Sequence, residues 1–256
     1  MSNYAIYFSP TNGTEKITKL LASELGAYTE IDLSKTDNEK NRTFEKDDIC
    51  IIGVPSYGGR VPAVALERME EFQGNSAKVV LIAVYGNRAY EDTFVELQDF
   101  LTKRNFCSVA AVAAIAEHSV MHQFAKGRPD ENDKKELIQY AREIKSELEN
   151  NKEFTEIQLP GEHPYKEYNG IPIKPKANKK CTECGACAEA CPVGAIPMNA
   201  PNTTNTDICI SCMRCISVCP KKARKVNGLM VKVATFKMKK NYTVRKHNEL
   251  FIGRHA

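Results

Sequence analysis

The chain has 256 residues, 42% of them hydrophobic, with 36 Lys and Arg against 32 Asp and Glu, a composition that suits one large globular domain or two moderate ones and excludes a disordered or fibrous chain. Its apolar runs, Asn105 to Ala116 among them, fall well short of the roughly 20 residues that cross a bilayer, so no membrane insertion and a cytoplasmic location are expected. Eight of its ten cysteines lie between 181 and 219, and residues 221–256 hold eleven Lys or Arg and one Glu, so composition alone divides the chain in two.

In chain order, YAIYF at 4–8 reads as a strand and SPTNGT at 9–14 as a turn. A helix follows with Ile17, Leu20, Leu21 and Leu25 on one face and Gly26 as its stop. Strands are expected near 27–33, 48–54, 78–84 and 108–116. Helices are expected from Pro62, over 91–104 with acids in its first turn and bases in its last, and over 131–149. This alternation predicts an α/β unit, a doubly wound five-stranded parallel sheet. Cys50 and Cys107 sit in apolar runs and read as small buried hydrophobes.

Such a sheet binds its ligand beyond the carboxyl ends of its strands, in the loops 9–14, 54–62 and 84–92. SPTNGT offers hydroxyls and unpaired amides at a helix N-terminus, where a phosphate is stabilised. It has neither the GK[ST] ending of a triphosphate loop nor the dinucleotide GxGxxG, so it fits a phosphate monoester, or equally an ordinary capped helix start. In the other loops Tyr57, Tyr85 and Tyr90 could pack on a flat ring, Gly58, Gly59 and Gly86 let amides approach its edge, and Asn87 could hydrogen-bond it. The alternative is polar turns with locally packed aromatics. Between 117 and 133 a long segment carries His118 and His122.

Residues 152–180 contain four prolines and two glycines, a linker or a wrapping arm. KKCTECGACAEACPVGAI at 179–196 and CISCMRCISVCPKKAR from 209 then superpose at an offset of 28. In CxxCxxCxxxCP the first three thiolates hold one iron–sulfur cube and the fourth reaches a second cluster. Cys181, Cys184, Cys187 and Cys219 are therefore expected on one 4Fe-4S cluster, and Cys209, Cys212, Cys215 and Cys191 on the other. Tetrahedral zinc would leave the third and eighth cysteines unexplained, and a disulfide framework would suit a small secreted chain. The basic end reads as a solvated surface or a docking patch for an acidic redox partner. Phe236 and Tyr242 are too few for a nucleic-acid stacking platform.

With SPTNGT after the first strand and YGG and YGNR in later loops, about 150 residues resemble flavodoxin, and 181–225 resemble a bacterial two-cluster ferredoxin. Together they resemble the fused flavodoxin and ferredoxin proteins of anaerobic microbes. The resemblance implies a flavodoxin-like unit at 1–151, a linker at 152–174, and a small α+β two-cluster ferredoxin domain with a basic tail at 175–256. It also implies FMN, with its phosphate on Ser9, Thr11, Asn12, Gly13 and Thr14 and its ring near Ser56, Tyr57, Gly58, Gly59, Tyr85, Gly86, Asn87 and Tyr90. The expected function is electron transfer between the clusters and FMN, with redox proteins as partners and no dedicated catalytic residue. The alternative is a flavin-dependent oxidoreductase reducing a quinone or flavin.

Overall fold

The computed structural model describes residues 1–36, 41–150, 154 and 156–253. Strands β1 (Asn3–Tyr7), β2 (Tyr28–Asp32), β3 (Ile49–Pro55), β4 (Lys78–Tyr85) and β5 (Cys107–Ile115) lie parallel in the order β2-β1-β3-β4-β5. That order is the flavodoxin-like doubly wound arrangement. Strands β3, β4 and β5 are almost continuously apolar because helices cover both faces. Helices α1 (Gly13–Leu25) and α4 (Glu131–Asn150) close one face through Ile17, Leu21, Leu137 and Ile144; α2 (Ala63–Arg68) and α3 (Thr93–Thr102) close the other through Ala65, Phe94 and Leu97. Lys103 and Arg104 lie just beyond the last turn of α3. Helix α1 comes so close to β3 that a Cβ on Gly53 would stand 2.0 Å from Thr18 Oγ1, so the layer spacing here requires glycine.

The sheet is not five-stranded. Glu249–Ile252, here β6, pairs antiparallel with β5 in the register Glu249↔Ala113 to Ile252↔Ala110, making a mixed six-stranded sheet. Without it β5 would expose a long apolar edge, a template for association that proteins cover. The return is anchored by Asn248, whose Oδ1 accepts from Ile115 N at 2.9 Å while Tyr140 Oη donates to its carbonyl at 3.1 Å. Residues 249–252, expected with the ferredoxin-type unit, thus complete the first sheet. Within the basic end, Arg245 pairs with Asp130 at 2.7 Å.

The expected boundary at 151/152 falls outside the described residues. From 156 the connecting segment is a strap along α3. Gln98 Nε2 donates to Ile157 O at 2.9 Å, and Glu162 N and Lys166 N donate to the Asp92 carboxylate at 2.9 and 2.7 Å.

Beyond it, Lys176–Ala177 pairs with Arg224–Lys225, enclosing helices α5 (Ala186–Glu189) and α6 (Arg214–Ser217). The backbone repeats at the cysteine offset: Glu183 and Ser211, Gly185 and Met213, and Gly194 and Lys222 are each left-handed. Helix α7 (Gly228–Tyr242) follows, its first turn capped by Asn227 Oδ1 accepting from Leu229 N at 2.9 Å. No helix among the described residues is long and apolar enough to cross a membrane.

Candidate functional site: two cysteine sets beside a deep cavity

The left-handed residues before α5 and α6 turn each cysteine run back on itself. Cys181, Cys184 and Cys187 line one hollow, and Cys219, from the second motif, closes it with Pro220 and Arg224. Cys191 crosses the other way. Burial, with Cys191 and Cys209 among the charges adding to it, pushes the Cys212 thiol up to about 11. Cys215, where Cys212, Cys209 and Cys191 likewise add to burial, is pushed up to about 12. Cys219 is held below an ordinary thiol: burial opposes this, but the amides of Ala223, Arg224 and Lys221 outweigh it. None of the eight is in a disulfide. Among the described residues no three or more His, Cys, Asp or Glu converge on a single ion. Two sets of four thiols, each borrowing its fourth from the other motif, fit the donor chemistry of cubane clusters and give every cysteine of the run a place. Thiols with raised pKa must lose their protons on ligation, so loading releases acid.

The two sets differ in exposure. Cys184 is exposed, Cys181 and Cys219 half-buried and Cys187 buried, whereas Cys191, Cys212 and Cys215 are buried and Cys209 half-buried. The second set is the inner one: Ile210 and Ser211, between its first cysteines, line a cavity of about 890 Å³ at the carboxyl ends of the strands.

Ser9, Thr11, Gly13 and Thr14 form one end of that cavity. Ser9 Oγ accepts from Glu15 N at 2.9 Å, and its own amide donates to Ser34 Oγ at 2.6 Å, which fixes the loop over the start of α1. Asn12 makes the left-handed corner (φ 64°) and does not line the cavity. Two cations the sequence reading missed stand behind this loop. Arg214, inside the second cysteine motif, donates to Ser9 O at 3.5 Å and buries an Nε with no partner. Arg68, whose pKa is lowered by burial with Arg214 adding to the effect, donates to Pro192 O at 2.6 Å.

In the second loop Tyr57 and Arg60 exchange backbone hydrogen bonds at 2.9 and 3.2 Å, with Gly58 (φ 64°) and Gly59 (φ 93°) left-handed between them. Ser56, Tyr57 and Gly58 line the cavity. Gly59 does not: a Cβ there would meet Glu91 Oε2 at 2.0 Å. Tyr57 opens on the cavity but is otherwise walled by protein. Burial raises its phenol pKa, and Cys212 and Tyr168 are near enough to add to the effect. Tyr168, from the strap, lies on Gly58 so tightly that a Cβ would come within 2.2 Å of its ring.

The third loop departs most from expectation. Tyr85 and Gly86 line the cavity, but Asn87 spends its side chain on the tail: Nδ2 donates to Tyr242 O at 2.7 Å and to Val244 O at 2.8 Å, and Oδ1 accepts from Lys246 N. Both side-chain N–H groups are thus engaged by the tail, and Asn87 does not line the cavity. Tyr90 turns away too, packed edge-on between Tyr85 (5.3 Å) and Phe94 (5.1 Å) with its hydroxyl donating to Glu249 Oε2 at 2.8 Å. His118 packs on Gly86. Its Nδ1 accepts from Val120 N and Met121 N at 3.1 and 3.2 Å, which puts the proton of the neutral ring on Nε2, and burial lowers its pKa to about 4. His122 is exposed and pairs with Glu117 at 2.8 Å. The cavity roof comes from Met121, Ile171 and the apolar face of α7, with Met230 and Met238. No local motif marked these segments.

Residues 180–223 match the family described as a 4Fe-4S dicluster domain. That stretch is an iron–sulfur domain. The chain is 37% identical over 51 residues to the polyferredoxin protein MvhB of Methanothermobacter thermautotrophicus, an alignment covering 20% of this chain and 12% of that protein. The MvhB protein of Methanothermobacter marburgensis matches to the same extent. The chain thus spans about an eighth of the length of the curated relatives it matches. Among solved structures, a flavodoxin from the domain Archaea is 10% identical with a TM-score of 0.40, over 58% of this chain and 99% of its own. The Streptococcus pneumonia TIGR4 flavodoxin is 14% identical with a TM-score of 0.41, over 57% and 99%. The flavodoxin-like fold rests on the strand order itself. The chain joins that fold to the dicluster domain.

Proposed function

We propose that the chain is an electron-transfer protein in which two 4Fe-4S clusters, on the cysteine sets above, exchange electrons with FMN held in the 890 Å³ cavity. The carrying observation is the shared wall: Ile210 and Ser211 of the inner cysteine motif line the cavity, and Cys212 is close enough to Tyr57 to act on its phenol. FMN would supply two-electron chemistry and the clusters one-electron chemistry, both properties of the cofactors. The chain's residues bind and orient. The hydroxyls of Thr11 and Thr14 and the first amides of α1 offer donors to the phosphate, and the Arg68 and Arg214 charges favour an anion there. Tyr57 and Tyr85 are the loop tyrosines left to flank the ring, with Tyr168 behind Gly58. His118 offers an N–H and takes no proton near neutral pH. The roof excludes water from the ring face.

The exposed Cys184 makes the outer set the natural contact for a redox protein, in a reducing compartment such as the cytoplasm. On this reading the units are 1–151 with 249–252 returned to the sheet, a linker at 152–174, and an iron–sulfur unit from 175.

A second reading, reduction of a small acceptor at the flavin, is favoured by the apolar mouth, where Leu229 is 71% and Val233 49% exposed. Saturable turnover with a quinone or free flavin would support it. The primary reading is tested by purifying the protein without oxygen and measuring iron, sulfide and acid-released flavin. About eight irons and one FMN per chain are expected. Eight irons with no flavin, and none taken up on adding FMN, would remove the cavity from the electron path.

A further inference from the structure

Aligned at the offset of 28, the two cysteine motifs share their backbone turns and also their amide donors: Ala195 N donates to Cys191 Sγ and Ala223 N to Cys219 Sγ, each at 3.2 Å. The next position breaks the match. Ile196 is 4% exposed and packs among Cys187, Ala188 and Cys215; its counterpart Arg224 is 1% exposed.

Arg224 Nε donates to Cys187 Sγ at 3.1 Å. Its Nη1 donates to Thr204 Oγ1 at 2.7 Å, and Nη2 donates to Thr203 O at 2.7 Å and to Pro201 O. Every one of these acceptors other than the sulfur is uncharged, and among the described residues no carboxylate pairs with the guanidinium. A buried arginine without a carboxylate needs another counter-charge, and the thiolate set it touches is the one available.

We infer that Arg224 is a positioning residue that sets the reduction potential of the outer cluster above that of the inner one. The inference rests on the two-cluster reading. One electron enters a cluster and no bond forms or breaks. The added negative charge is stabilised by a fixed N–H and a full positive charge on a ligand sulfur, in surroundings where charges interact more strongly than in water. The greater exposure of Cys184 works in the same direction. The inner set has Arg214 inside its own motif, whose side chain donates to Ser9 O, and Lys174, which is half-buried and bonded to the Cys209 carbonyl; among the described residues neither side chain donates to a sulfur, and at the position equivalent to Arg224 the inner set has Ile196. Among the described residues the Arg224 side chain donates to Cys187 of the outer set and to no sulfur of the inner set, so its effect on the inner cluster is of the same sign and smaller. An electron arriving from a partner then rests at the exposed end of the chain, away from the cavity.

The test is an anaerobic redox titration of the full holoprotein with dithionite as electron donor, followed by electron paramagnetic resonance, with iron measured on each sample. The wild type should reduce in two resolved steps. Arg224→Gln, which removes the charge, should move the upper step down toward the lower one, and Arg224→Lys, which keeps a charge but loses the fixed N–H on Cys187, should move it less. About eight irons with a single unresolved step in the wild type would overturn the role of Arg224 alone, as would an unmoved upper step in either iron-replete variant. If the Gln variant does not hold iron, the wild-type steps and the Lys variant decide. Far fewer irons in the wild type would instead remove the two-cluster reading and this inference with it.

Discussion

The sheet unit and the iron–sulfur unit are held together by different means. The sheet unit has two apolar layers, with Ile6, Phe44, Ile52 and Phe94 fully buried on one side and Ile17, Leu21, Ile51 and Leu137 on the other. The buried cluster inside the iron–sulfur unit is Cys187, Ala188, Ile196 and Cys215, two of them candidate ligands, and α5 and α6 have four residues each. A short helix does not persist without packing. One unit therefore owes its fold to its core, and the other to its ligands.

The most direct way to break that comparison is to remove the iron. Chelation under reducing conditions should abolish amide protection across 176–225, because ligation free energy is folding free energy in such units. Strands β3, β4 and β5 should keep theirs. Protection in 176–225 that survives complete iron loss would refute the contrast.

The converse perturbation is Phe94→Ala, which empties a fully buried ring packed edge-on at 5.1 Å from Tyr90 and 5.8 Å from Phe251. It should cost the sheet unit about 3–5 kcal/mol, read by denaturant unfolding, while iron content stays unchanged. Gly53→Ala should cost less, about 1–3 kcal/mol, since Thr18 would have to shift to admit the Cβ. Unfolding midpoints check both.

Acid should separate the units again through His118. Its pKa falls from the ordinary 6.5 to about 4 in the fold, chiefly by burial. The unfolded chain therefore binds the extra proton first. The neutral-ring contribution is complete above pH 6.5 and is lost as pH falls toward 4, up to about 3 kcal/mol. Asp133, held below the usual carboxylate range by Arg128 although burial opposes it, gives a second loss at still lower pH. His118→Gln should flatten the first part of the stability profile and leave the second. An unchanged slope between pH 6.5 and 4 would contradict the assignment.

How legible the molecule was in its sequence follows the same division. Ligand spacing is local chemistry: the proposed exchange of Cys191 and Cys219 between motifs rests on CxxxCP alone. The parallel strands were legible as apolar runs, and the ligand end of the sheet as loops after strands. What local reading could not reach was decided by contacts between residues far apart in the chain. Asn87 and Tyr90 had the right chemistry for a flavin ring, but Tyr242, Val244 and Glu249 engage them. The strand ELFI is only four residues long and pairs because β5 offers an edge. Tyr168 and Met121 line the cavity from segments with no periodicity. Arg214 and Arg224 carried a usable signal: each is a cation inside a cysteine motif where the other copy has Ala186 or Ile196.

The measurement that bears most directly on the central claim is stopped-flow reduction of the protein loaded with iron and flavin by a one-electron donor, followed at the cluster and flavin absorption bands. Cluster bleaching should come first, then flavin bleaching at a rate independent of protein concentration. Flavin that is reduced only in proportion to protein concentration, or not at all while the clusters are reduced, would contradict that claim.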